Sequence, residues 1–403
     1  MGYSIISKKL KMWNKIKWLL GLESKISLPI YTNLNQSNKT ILVIDDDIPH
    51  YDKSSGSKRI FELLKIFKHL ELNVIFLPND GLAPEPYFSE LRLLGVEVLT
   101  NSPKRKGMLK KLRATLPLVN YAWISRPMLN KEFQTIVRIN REIKIIFDTV
   151  DLHFLRMQRQ AKYEKDSILM QEALELEKLE LLLATNADIT LTVTEFEKNI
   201  LELAQIKNVF VIPNIHEVKK NLHPISFENR KGILFIGGYK HAPNVDAVSW
   251  LINEIMPLVW EKLRGVTVYL LGSYPNKQVL SLSSDCVFVP GFIDDVSEYF
   301  FTSKIFVAPL RYGAGMKGKL GQSLEHGLPI VTTSIGAEGM NLTNNLNVLI
   351  ADDTLDFANK IIELYQNVST WSTIQSNAEQ AICAYSPKVV SKQLKILFKG
   401  LDN

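Results

Sequence analysis

From Thr40 onward, short apolar runs alternate with stretches in which apolar residues recur every three or four positions. The first run, Ile41 to Ile44, closes on Asp45 and is followed by a polar loop and an amphipathic stretch from Ser57 to Leu70, which predicts a strand, a loop and a helix. Further strands are predicted at Val74 to Leu77, Val96 to Leu99, Ala122 to Ser125, Ile143 to Phe147, Ile189 to Val193 and Val209 to Ile212, mostly separated by helix-length segments. Such alternation implies a parallel sheet covered on both faces. Between Met157 and Ala184 strong helix formers dominate and neither Pro nor Gly occurs, which predicts one long helix.

The pattern lapses from Pro213 to Arg230, where prolines, asparagines and mixed charge follow neither period, and this run reads as a linker. It restarts with Ile233 to Ile236, a Gly237-Gly238 turn, a helix from about Asn244 and a strand at Val266 to Leu271. Strands follow at Val287 to Val289, Ile305 to Ala308, Ile330 to Thr333 and Val348 to Ile350, and helical patterns fill the last fifty residues. The 403 residues therefore divide into a segment 1–25, a domain 38–213, a linker 214–230, a domain 231–385 and a helix 386–403. Both domains are α/β, and ligands of open parallel sheets bind beyond the carboxyl ends of the strands.

Charge changes this picture at one end only. The formal net charge is +6, but residues 1–25 hold six Lys and one Glu, so a nucleic-acid partner is not expected. In that segment Ile6, Leu10, Trp13, Ile16 and Leu20 share one helical face and Lys8, Lys11 and Lys15 another. Two readings stay open: a peripheral contact with anionic membrane, aided by Trp13 and Trp18, or a helix packed on its own domain. A second basic run, Lys104, Arg105, Lys106, Lys110, Lys111 and Arg113, reads as a solvated face. The only two cysteines, Cys286 and Cys383, sit in apolar segments and read as a buried, reduced pair. No run approaches the ~18 apolar residues of a membrane span, and lysines break the N-terminal apolar residues, so a cytoplasmic protein is expected.

The chemistry concentrates at Pro309 to Gln322, which leaves a strand and enters a helix that ends near Gly327. Three glycines and two lysines occupy the seven residues 313–319. Glycines admit a ligand close to the backbone, a helix N-terminus offers unpaired N–H groups, and Lys317 and Lys319 add full charges, so a diphosphate is the natural guest. The alternative is a glycine-rich surface loop with exposed lysines. The Walker pattern is missing, which argues against a P-loop ATPase.

At these residues the chain resembles the family 4 (group 1) glycosyltransferases, retaining enzymes that move sugars from nucleotide donors without a metal. The resemblance extends through Phe235 to Asn244, Pro290 to Phe292 and Gly327 to Gly339, and in the first half through Asp45 to Arg59, Phe147 to His153 and Pro213-Asn214. It implies a GT-B fold: two Rossmann-like domains facing a cleft, with C-terminal helices packing back on the N-terminal domain. It departs from the family's Glu-x7-Glu signature, because Gln322 stands where the second Glu is expected and Ala314 eight residues earlier, so the chain resembles a subgroup with a modified donor loop.

The resemblance implies donor contacts from Gly237, Gly238, Gly315, Gly318, Gln322, Ser334, Gly336 and Glu338, with a catalytic set of Lys317, Lys319, His153 and Asp151. Acceptor contacts would come from Gly56, Ser57, Lys58, Arg59 and Asp148. Each has a plainer alternative: a turn for Gly238, loop bracing for Glu338, helix capping and solvated charge at residues 56–59. Lys240 and His241 rank lower as diphosphate contacts, and Asn244 is expected to cap the next helix. Partners are a nucleotide-sugar donor, which is a substrate, and a glycan or lipid-linked acceptor; no cofactor and no metal are implied. A retaining, metal-independent glycosyltransferase of bacterial surface polysaccharide biosynthesis is the leading expectation. A sugar-nucleotide epimerase or hydrolase, or a catalytically degenerate sugar-nucleotide-binding subunit, are the alternatives.

Overall fold

The computed structural model describes residues 34–35, 37–100, 105–221 and 224–402. The amphipathic segment 1–25, with its membrane contact, and Lys104 lie outside the described residues. The fold is α/β with two parallel sheets, as the alternating pattern predicts. The first sheet comprises β1 (Thr40–Asp45), β2 (Asn73–Pro78), β3 (Val96–Val98), β4 (Tyr121–Ser125), β5 (Lys144–Asp148), β6 (Ile189–Thr192) and β7 (Val209–Val211), in the order β3-β2-β1-β4-β5-β6-β7. The second comprises β8 (Ile233–Ile236), β9 (Val268–Leu271), β10 (Val287–Gly291), β11 (Ile305–Ala308), β12 (Ile330–Thr332) and β13 (Leu349–Ile350), in the order β10-β9-β8-β11-β12-β13. In each, the order reverses beside the strand that opens the domain, β1 or β8. Loops at the carboxyl ends of neighbouring strands diverge there and leave room for a ligand.

Tertiary contacts divide the chain into two compact units. One runs through Pro49, Leu63–Asp148 and Leu183–Thr190; the other takes His50–Glu62, Thr149–Leu182 and the chain from Leu191 onward. The first unit is centred on Leu42, Ile44, Ile75, Leu77, Ala122 and Ile124, with Phe133 of helix Pro127–Val137 against them. These strands are buried on both faces, so their apolar residues run continuously instead of alternating. Fully burying each such side chain contributes about 1.5–3 kcal/mol, which favours strand over exposed loop. Among the described residues, two apolar clusters lie in the second unit. One surrounds Phe235, Leu270 and Val307; the other surrounds Phe306, Leu320 and Leu324 and reaches Ile382 and Tyr385.

Three expectations need correction. The predicted long helix at 157–184 is two helices, His153–Glu164 and Ser167–Asn186. Lys165 takes a left-handed backbone (φ 56°), and Asp166 accepts the amides of Ile168 and Leu169 at 2.9 and 3.0 Å, a cap that restarts the helix. Asn244 is the third residue of helix Ala242–Trp250, whose cap position is His241. Cys286 is half-buried and Cys383 exposed, so they are not the buried residues expected, although both are free thiols.

Candidate active site

The site is built inside the second unit, on the helix Gly318–Glu325 that follows β11. Its cap residue, Lys317, supplies no side-chain cap, so the helix presents first-turn N–H groups without a side-chain acceptor there. Gly318 packs so tightly on Ser55 that any Cβ would collide with that serine. Ser55 is itself the first residue of helix Ser55–His69. Two helix N-termini thus converge, and both place partial positive charge at one spot.

Two cations join them. Lys317 is 8% exposed, and its Nζ donates to the Gly315 carbonyl at 2.8 Å and lies 3.8 Å from Glu338 Oε1. Burial lowers its amine to about 8, against the opposing pull of Glu338 and Glu197. Lys319 donates to Asn244 Oδ1, and its Nζ stands 4.5 Å from the centre of the Phe235 ring. Burial lowers it to about 7, with the Lys317 charge adding to the effect. Neither lysine is a solvated surface charge. Such amines regain full charge when an anion arrives, which is the property a diphosphate cradle needs.

Glycine is required at two points around them. A Cβ on Gly237 would lie 2.8 Å from Asn244 Cγ and 2.9 Å from Lys319 Nζ. Gly315 has φ 67°, and a Cβ there would sit 2.7 Å from Asp151 Cβ. Gly238 has ordinary room, its nearest neighbour being Ser273 Oγ at 3.5 Å, as the plain-turn reading expects. Gly237→Ala should therefore displace Lys319 or Asn244 and weaken pyrophosphate binding about tenfold, or ~1.4 kcal/mol, by calorimetry. Gly238→Ala, measured alongside, should change it less than threefold.

A third wall comes from the loop after β5 and the helix His153–Glu164. Asp151 receives Arg156 Nη1 and lies 3.2 Å from His153 Nε2, so these two candidate residues stand together, with Asp151 pressed on Gly315. Arg159 donates to both carboxylate oxygens of Glu338 at 2.8 Å and to the Gly313 carbonyl at 2.7 Å. Glu338 is thus clamped between Arg159 and Lys317. Arg159 escaped the sequence reading because it is one of several cations on a helix with no local signature.

The remaining predicted residues make contacts of their own. Ser57 takes the Ser54 Oγ hydrogen bond through its own Oγ and donates its amide to Ser54 Oγ at 3.1 Å, and Gly56 precedes it in the first helical turn. Neither Lys58 nor Arg59 is simply a solvated charge. Lys58 pairs with the buried Glu325 at 2.7 Å, and Arg59 is buried, donating to the carbonyls of Ile212 and Pro213 at 2.9 and 3.3 Å. Glu325 also meets His216 Nδ1 at 2.8 Å, and although burial alone would raise it, His216 and Lys58 hold its carboxyl at about 2. Gln322 is half-buried one turn before Glu325, and its carbonyl faces His326 Nδ1 at 2.7 Å. Ser334 is exposed and donates its amide and hydroxyl to Asp352 at 2.7 and 2.6 Å, while Gly336 packs against Thr332 without space for a Cβ. Asp148 belongs to the first unit, where its buried carboxylate accepts Trp123 Nε1–H at 2.9 Å. Lys240 lies over the Tyr274 ring at 3.9 Å.

Residues 230–367 match the family model described as glycosyl transferases group 1. That match covers less than half of the chain, and the two parallel sheets are those of the GT-B fold. Among curated proteins it is 25% identical over 171 residues to an uncharacterized 44.6 kDa protein in the cps region of Klebsiella pneumoniae, covering 39% of this chain. The alignment spans less than half of that relative, 44% of its length. Among solved structures it is similar to HepE of Anabaena, determined with UDP and glucose, at 16% identity and TM-score 0.66, covering 90% of this chain and 100% of the other. It is also similar to TarM of S. aureus, determined with fondaparinux, alpha-GlcNAc-glycerol and UDP, at 13% identity and TM-score 0.67, covering 89% and 99%.

Proposed function

We propose that the chain is a retaining, metal-independent glycosyltransferase that moves a sugar from a nucleoside diphosphate to a glycan or lipid-linked acceptor. The observation that carries this reading is the cradle itself: Lys317, buried, and Lys319, half-buried between Asn244 and the Phe235 ring, at two converging helix N-termini. Such a cradle suits a diphosphate whose negative charge grows as it leaves. As the bond from the anomeric carbon to the phosphate oxygen breaks, the two ammonium groups and the first-turn amides stabilise the departing charge. The acceptor oxygen forms its bond to that carbon from the same face, and its proton passes to the departing phosphate oxygen. No strong protein base is demanded.

The cps-region relative favours a bacterial surface polysaccharide as the product, and the UDP in the HepE and TarM structures favours a uridine donor. Gln322, half-buried in the second turn after the cradle, would then contact the donor through one donated and one accepted hydrogen bond, without the charge of a glutamate. The test is a thermal-shift series of the full chain with UDP-, GDP- and dTDP-sugars, followed by product analysis with and without acceptor. Stabilisation by one nucleotide class and sugar transfer only with acceptor support the reading. Stabilisation without transfer across an acceptor panel would turn it into a binding subunit, and free-sugar release or isomerised donor into a hydrolase or epimerase.

A further inference from the structure

The turn that carries Asp151 and His153 is strained and is held from behind by two buried acids. Val150 has φ 66°, a left-handed backbone that a β-branched residue adopts only when its surroundings impose it. The helix that follows, His153–Glu164, begins at Leu152, which has no side-chain oxygen to cap it. Its unpaired amides are met by carboxyls from two other helices. Glu197 Oε1 accepts the Leu152 amide at 2.9 Å, and Glu180 Oε1 accepts the Phe154 amide at 3.0 Å. Both glutamates are at most 1% exposed.

Glu197 is itself fixed by Thr194, whose hydroxyl accepts the Glu197 amide at 3.1 Å and lies 3.3 Å from Glu197 Oε2. Thr194 in turn is the residue against which Gly339, next to Glu338, is packed. Among the described residues Glu180 Oε2 has no hydrogen-bond partner, and it is sealed from water. Such a carboxyl is tolerable when it carries a proton, and burial raises Glu180 to about 8 and Glu197 to about 7. A surface cap would serve the helix at lower cost. Two acids placed in the interior instead fix where the turn stands, and it stands with Asp151 against Gly315 of the phosphate loop.

We infer that Glu180 and Glu197 are positioning residues that hold the strained turn 150–153, and with it Asp151 and His153, against the Gly315 face of the cradle. Its bearing on ligand rests on the proposed function; the positioning itself does not. The experiment is amide hydrogen exchange on the full chain, together with UDP affinity by calorimetry, for Glu197→Leu, Glu180→Leu and the corresponding Gln variants. The Leu variants should speed exchange about tenfold in 150–156 and also in 313–317, which neither glutamate touches through its carboxyl. They should weaken UDP about tenfold, and the Gln variants, which keep an acceptor, should restore both. Faster exchange confined to 150–156 with UDP affinity unchanged would reduce the two acids to helix caps and overturn the inference, as would Gln behaving like Leu. Should the Leu variants not fold, Thr194→Val, which loosens Glu197 without adding bulk, should move both readouts two- to threefold; no movement overturns the inference. If the parent chain binds no UDP, the nucleotide reading fails, and exchange at 313–317 alone decides the positioning role.

Discussion

Lys319→Met should lower sugar-transfer turnover by two to three orders of magnitude while leaving the melting temperature equal to, or above, that of the parent chain. The first half follows from the loss of a charge aimed at a departing diphosphate, an interaction worth about 3–4 kcal/mol when removed from a preorganised site. The second half follows from burial. An ammonium whose pKa falls from its ordinary value to about 7 is opposing the fold at neutral pH, because the unfolded chain holds that proton freely. Methionine has nearly the same length and no charge to desolvate, at the expense of one hydrogen bond to Asn244 Oδ1. Lys317→Met should behave similarly, with less gain in stability, because Glu338 and the Gly315 carbonyl already support its charge. Turnover assays and differential scanning calorimetry on the same preparations check both halves. Unchanged turnover in both variants removes these lysines from the mechanism, and a large fall in melting temperature would mean that they are structural.

This opposition between stability and function bears on what was legible in the sequence. The strands were readable because residues such as Ile41 to Ile44 and Ile305 to Ala308 are apolar without interruption, and only a doubly covered parallel strand buries every position. The cradle was readable because its glycines and lysines are adjacent in the chain. What escaped was polar chemistry assembled across long sequence separations. Arg159 meets Glu338 179 positions away, and Glu325 meets Lys58 across 267. In a single sequence Arg159 and Glu325 are each a charged residue on an amphipathic helix, indistinguishable from a solvated one.

Glu197 had a partial signal. Thr194 and Glu197 form the Thr-x-x-Glu spacing of a capping box, and Thr194 does cap that helix. The spacing announces a helix start but not that the glutamate turns away to take the Leu152 amide. The break at Lys165 failed for a related reason. Propensity favours helix on both sides, and the decision lies in one left-handed residue followed by an aspartate that caps the next turn.

The second large effect is on pH. Diphosphate binding should take up about one proton at pH 8, and UDP affinity should fall roughly tenfold per unit from pH 7.5 to 9. Lys317 and Lys319, at about 8 and about 7 in the ligand-free protein, are largely uncharged by pH 9. A bound diphosphate favours their charged forms and draws protons from solvent to restore them. Calorimetry in buffers of different ionisation enthalpy measures that uptake directly, and Lys319→Met should remove most of it at neutral pH. The ligand-free chain supplies a check of sign. Lysines lowered in the folded state bind fewer protons than in the unfolded chain between about 7 and 10.5, so their unfavourable contribution fades as pH rises through that window. Glu180 and Glu197, raised to about 8 and about 7, act oppositely: the folded state holds the extra protons, and stability falls as pH climbs from about 4.5 through 8. Together the four groups place a minimum of ligand-free stability near pH 7 to 8. Because UDP binds more weakly as pH rises, its stabilisation should be largest at and below about pH 7 and fade towards pH 9, which flattens the alkaline rise and leaves the fall between about 4.5 and 8 to the glutamates. A UDP affinity independent of pH from 7.5 to 9, with no proton uptake, would mean that the bound phosphates meet neither lysine.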